Sequence, residues 1–77
     1  MNIDILAELQ QELRTSNEIY GQFKSYAEGI AVIREEYLEL ETEIFKKPSK
    51  RQVKKIHNEA LQLAAMAIKL INYSGDR

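Results

Sequence analysis

The sequence predicts an all-α fold of three helices, with a long antiparallel helical hairpin that oligomerises into a four-helix-bundle core. Three observations predict it. Apolar residues recur at three- and four-residue steps over two long stretches, only three Gly and one Pro interrupt the 77 residues, and the single proline, Pro48, falls between those stretches.

The first helix is expected over about residues 3–14, with Asn2 or Asp4 as its cap and Ile5, Leu6, Leu9 and Leu13 as one apolar stripe. Thr15-Ser16-Asn17 and then Gly21 interrupt that pattern. Ser25 followed three residues later by Glu28 reads as a capping box, which opens a second helix over about 26–47. Along it Ile30, Ile33, Tyr37, Leu40 and Ile44 form a seam of the kind that packs along another helix. Pro48 forbids continuation, and Ser49 with Gln52 offers a second capping box for a third helix over about 50–73, ending before Gly75. Its inward stripe is expected to be Val53, Ile56, Ala60, Leu63, Ala64, Ala67 and Leu70 or Ile71. A connection this short makes the second and third helices antiparallel neighbours.

From Leu61 to Ile71 only Gln62 and Lys69 are polar, so apolar side chains surround nearly the whole circumference of the third helix. One short chain has too little mass to enclose such a helix, which predicts a homodimer or homotetramer. The 77 residues are expected to form a single domain. The chain has no cysteine, which excludes a disulfide framework, a thiolate metal site and a cysteine nucleophile, and fits a cytoplasmic location. No apolar run approaches the roughly 20 residues that span a bilayer, so no membrane partner is expected.

Net charge is −1, but unevenly distributed. Glu28, Glu35, Glu36, Glu39, Glu41 and Glu43 are answered locally only by Arg34, and a basic block of Lys46, Lys47, Lys50, Arg51, Lys54 and Lys55 follows. Lys46 and Lys47 complement the negative end of the second helix, whereas Lys50 and Arg51 sit at the positive end of the third. The turn at residues 46–55 therefore reads either as a solvated loop or as an attractor of phosphate, nucleic acid or an acidic partner.

Glu36 and Glu39 lie one turn apart on the second helix, and Glu59 and Gln62 lie one turn apart on the third. In an antiparallel hairpin turning about Ser49, Glu36 stands level with Gln62 and Glu39 with Glu59. Three carboxylates then converge at a helix interface, where repulsion and partial burial call for compensation. A hard divalent cation supplies it, and the plain alternative is a solvated charged helix face.

Glu35-Glu36-Tyr37-Leu38-Glu39, followed after 19 residues by Glu59-Ala60-Leu61-Gln62 and an Ala-rich apolar helix, resembles the MazG-like all-α nucleoside triphosphate pyrophosphohydrolases, whose pattern is EExxE followed by ExxD. Ala27 to Ile33 together with Ala64 to Ile68 is similar to short phage and bacterial members. The resemblance covers about residues 26–71 and implies Mg²⁺ or Mn²⁺ held by Glu36, Glu39 and Glu59, with Gln62 at the family's aspartate position. It also implies hydrolysis of a nucleoside triphosphate between its α and β phosphates. Gln62 exchanges an anionic ligand for a neutral amide oxygen, so metal affinity and turnover are expected to fall. Glu35 or Glu43 is the candidate to orient the attacking water, although helical geometry turns Glu35 from the seam. The competing readings are a non-catalytic helical oligomer acting as an interaction module, and nucleic-acid binding through residues 46–55.

His57, the only histidine, reads as structural. Tyr20, Phe23 and Tyr26 are expected to pack over the core or to stack on a nucleobase. Lys24 and Lys69 are read as surface lysines within reach of a phosphate.

Overall fold

The computed structural model describes residues 4–75. Among them lie three α-helices, α1 (Asp4–Tyr20), α2 (Tyr26–Ile44) and α3 (Val53–Gly75), and a single 3₁₀ turn over Pro48–Lys50, with no strand. Asp4 sits in the first turn of α1, and the other candidate cap, Asn2, lies outside the described residues.

Helix α1 runs six residues beyond its expected end. Thr15, Ser16 and Asn17 are only mildly unfavourable inside a helix, and no glycine or proline stops the chain until Gly21. Gly21 has φ +73° and donates its N–H to the Asn17 carbonyl at 2.9 Å, the left-handed terminator that a side chain would strain. Helix α2 begins as its cap dictates. The Ser25 hydroxyl accepts from the Glu28 N–H at 3.0 Å, and Glu28 reaches back to accept from the Lys24 N–H at 3.1 Å.

The other end of α2 and the start of α3 correct the expected boundaries. The helix stops at Ile44, where the Phe45 N–H closes onto the Glu41 carbonyl, and Pro48 forces Lys47 to ψ 143°. Ser49 is consumed by the 3₁₀ turn instead of capping, so α3 opens at Val53 with the Ile56 N–H bonded to the Gln52 carbonyl at 3.1 Å. Arg51 donates to the Lys46 carbonyl at 3.4 Å and Lys46 pairs with Glu43 at 3.0 Å, so two cations of the basic block brace the turn.

Helix α3 is the shared floor: α1 and α2 each pack on it, and among the described residues no Cα of α1 comes within 8 Å of one in α2. Phe23, Ala65, Met66 and Tyr73 form the buried core, with Leu9 and Leu13 of α1, Val32 and Ile33 of α2, and Leu70 packed around them. Tyr26 meets Tyr73 edge to face with ring centroids 5.0 Å apart, and His57 Nε2 lies 2.8 Å from Glu8 Oε2, linking α3 to α1. The expected inward stripe of α3 holds in part: Leu70 packs on the core and Ile56 and Leu63 are half-buried, but its other members are not. Val53, Ala60, Ala64, Ala67 and Ile71 face solvent, while Ala65, Met66, Lys69 and Tyr73 face the core. A helix apolar on nearly all sides offers several stripes of equal spacing, and the aromatic Phe23 and Tyr73 selected among them.

Candidate metal centre

Contacts between α2 and α3 include Tyr26 with Tyr73 and Gly29, where an added Cβ would stand 2.8 Å from Leu70 Cδ1, and reach Glu36 and Glu39 beside Glu59 further along α2. One carboxylate oxygen from each of Glu36, Glu39 and Glu59 lies within 4.8 Å of the other two. Glu36 and Glu59 are half-buried, and Glu39 is exposed at the rim.

The electrostatics of the triad are unfavourable as it stands. Burial, repulsion from Glu39, a hydrogen bond from its protonated form to Glu39, and the charges of Glu59 and Glu35 push Glu36 up from 4.5 to about 7. Glu59 is also raised, by burial first, then by Glu39 and Glu43, with Lys55 opposing. The Oε2 atoms of Glu36 and Glu59 are shut off from water and receive no hydrogen bond. An acceptor buried without a donor costs ~1–3 kcal/mol, more when charged.

Those orphaned oxygens bear directly on whether a cation fits. Oxygens in one coordination shell of a hard cation, each about 2.1 to 2.4 Å from it, lie about 3 to 5 Å from one another. The triad falls within that spread, and its donors are all carboxylate, the set that Mg²⁺, Mn²⁺ and Ca²⁺ prefer. The residues present fit the group.

Beside the triad opens a cleft of about 640 Å³. With their backbones apart, α1 and α2 stand as its two walls, with Glu12, Ser16 and Tyr20 on one and Glu28, Glu35 and Glu36 on the other. Gln62, Met66 and Lys69 of α3 form the floor. Glu36 thus belongs to both the triad and the cleft wall. Gln62 is half-buried in the floor, and Glu35 is exposed yet lines the wall. The volume suits a small organic ligand such as a nucleotide.

One site-lining residue departs from its sequence reading. Lys69 is no surface lysine: it is 2 % exposed, donates to Ser16 Oγ at 2.9 Å and stands 5.0 Å from the centroid of the Phe23 ring. The sequence signal was a lone lysine in the otherwise apolar run Leu63 to Ile71. Phe23 and Tyr26 serve packing, whereas Tyr20, 74 % exposed, stands at the cleft edge. The cleft itself had no sequence signature, since it results from the separation of α1 and α2.

The chain matches no protein-family model, no curated protein and no solved structure.

Proposed function

We propose that this protein is a metal-dependent nucleoside triphosphate pyrophosphohydrolase of the MazG-like kind, with Glu36, Glu39 and Glu59 as metal ligands and the cleft as its nucleotide site. The observation that supports this most directly is the pair of water-excluded, donorless oxygens of Glu36 and Glu59, next to a nucleotide-sized cleft. In a merely solvated acidic face those oxygens would be wet.

The chain's own residues divide the work. Glu36, Glu39 and Glu59 hold a charge-compensating cation, and Gln62 lends a neutral oxygen from the floor. A Mg²⁺ or Mn²⁺ bound there would supply charge neutralisation for phosphate oxygens and a more acidic water. The phosphates enter beside acidic walls, where Glu35 and Glu36 repel them unless the cation is present, so nucleotide binding becomes metal-dependent. Glu35, outside the triad but on the wall, takes a proton from the attacking water.

The reading extends to an antiparallel α2–α3 hairpin and to a homo-oligomer. In support of the first, Gly29 meets Leu70 whereas Glu39, later in α2, meets Glu59, earlier in α3. In support of the second, a monomeric globule of this mass exposes about 4800 Å², and this chain exposes 5793 Å². The excess, about 1000 Å², is more than the ~800 Å² that each partner buries in a standard interface. Ile30, Tyr37 and Ile44 on α2 and Ile71 on α3 are large apolar side chains left open to supply it.

The test is pyrophosphate release from a panel of ribo- and deoxyribonucleoside triphosphates with Mg²⁺ or Mn²⁺. Release that disappears with chelator and with Glu36→Gln is the expected result. Absence of pyrophosphate from every nucleotide would remove the enzymatic assignment.

A further inference from the structure

Lys69 is the one charged side chain buried in the core among the described residues. Its surroundings do not account for it. An ammonium carries three donors and no acceptor, and Ser16 Oγ takes one of them while the Phe23 ring offers only a π-face. Glu28 contributes favourable charge, but its carboxylate accepts from the Lys24 N–H at the α2 cap. A leucine or methionine would fill the same space beside Ala65, Met66 and Tyr73 without the cost of desolvating a charge. Lys69 also lines the floor of the cleft, beside Ser16.

Its position along α3 narrows what those donors meet. Lys69 is seven residues beyond Gln62 and ten beyond Glu59, or about 10 and 15 Å along the helix at 1.5 Å per residue. A nucleotide with its phosphates at the triad places the far edge of its base at this end. The group that meets Lys69 is not a second phosphate. Glu12, Glu28, Glu35 and Glu36 line the cleft against Lys24 and Lys69, so an anion would confront four carboxylates for two ammoniums. A neutral carbonyl oxygen satisfies the free donor without adding charge.

We infer that Lys69 reads the base, donating to an exocyclic carbonyl at position 6 of a purine or position 4 of a pyrimidine, and so selects keto-bearing over amino-bearing nucleotides. The inference rests on the nucleotide reading of the cleft given above. Discrimination comes from the penalty on the wrong base. An amino group there aims a donor at a donor, leaving two desolvated polar groups unpaired. Inosine against adenosine, and uridine against cytidine, differ at that position.

The experiment measures binding and turnover separately on the full chain. Hydrolysis-resistant α,β-methylene triphosphates of inosine, adenosine, uridine and cytidine are titrated calorimetrically with Mg²⁺ into the unmodified protein and into Lys69→Met. The expected preference for the keto member of each pair is about ten- to a hundredfold, and it disappears in Lys69→Met, whose apolar chain of similar length keeps the core filled. A second readout needs no variant: the Lys69 ammonium ¹⁵N resonance shifts with the inosine nucleotide and not with the adenosine one. Affinities equal within twofold in the unmodified protein, or a preference that survives Lys69→Met, would overturn the inference. Pyrophosphate release from the natural triphosphates is scored alongside. Keto preference without release removes the hydrolase assignment and leaves Lys69 as the base reader. Release from all four with equal affinity removes Lys69 alone, and no nucleotide binding at all removes both.

Discussion

Gly29 leaves the space that the Leu70 side chain fills: a Cβ at position 29 would lie 2.8 Å from Leu70 Cδ1 and 3.2 Å from the Phe23 ring. Gly29 is itself buried in the first half of a helix, where glycine costs ~1 kcal/mol relative to alanine. That cost is tolerated because the missing Cβ admits Leu70 and Phe23 to the core end of the cleft.

Gly29→Ala is therefore expected to destabilise the fold despite its better helix propensity. Overpacking costs ~1–3 kcal/mol and outweighs the propensity gain, giving a net loss of about 1 kcal/mol. Urea unfolding of Gly29→Ala, Leu70→Ala and the double variant forms the check. Because Leu70→Ala makes room for the new methyl, the double variant should lose less than the sum of the singles. Strict additivity would show that the two residues do not contact.

The chemistry at helix ends was the part of this fold written locally in the sequence. Ser25 and Glu28 cap α2 through bonds between neighbours, and Pro48 breaks the chain by its own ring, so neither depends on tertiary context. The proximity of Glu36 and Glu39 to Glu59 followed from helical spacing about a short turn. What spacing did not carry was rotation. Ala60, Ala64 and Ala67 repeat as regularly as Met66, Lys69 and Tyr73, and packing with Phe23 from outside the helix accompanies the set that turned inward. The burial of Lys69 against Ser16 joins residues 53 positions apart and depends on where α1 stops, which the sequence pattern placed six residues too early.

Without metal, the stability of the fold should fall as pH rises. Glu36 is raised to about 7 in the folded chain from 4.5, and Glu59 is raised in the same direction. Between those pH values the folded state holds more protons than the unfolded one, so its advantage is full below about 4.5 and is lost as pH climbs through about 7. Thermal melts in chelator should give a higher midpoint at pH 5 than at pH 8, with the difference reduced in Glu36→Gln. Saturating Mg²⁺ should raise the midpoint more at pH 8 than at pH 5, because protons compete for the same oxygens. A midpoint that rose with pH in chelator would contradict the strained triad.

The open apolar stripe gives a separate expectation. Ile71 is 67 % exposed and continues the Ala64 and Ala67 face of α3, so Ile71→Lys should place a charge in any interface between copies without disturbing the core. Sedimentation velocity of the unmodified protein at micromolar concentration should show a dimer or larger species, and Ile71→Lys should shift it toward monomer while leaving helical circular dichroism unchanged. A monomer in both would mean that the excess surface stays exposed.

Position 62 offers the sharpest gain-of-function test of the metal centre. Gln62 lies on the floor of the cleft that Glu36 also lines, one helical turn after Glu59, and carries a neutral amide oxygen. Gln62→Asp adds an anionic oxygen to the donor set, at the price of a further carboxylate close to a triad that already repels itself. Those two effects have opposite signs under different conditions. In chelator the added charge should lower the melting midpoint at pH 8, whereas with Mg²⁺ or Mn²⁺ the extra ligand should tighten binding by about tenfold, ~1.4 kcal/mol, read by titration calorimetry. A solvated glutamate face would show only the first effect, because extra charge there has no ion to hold. Tighter metal binding together with a lower metal-free stability is therefore the combined result that distinguishes a ligand sphere from a cluster of surface acids.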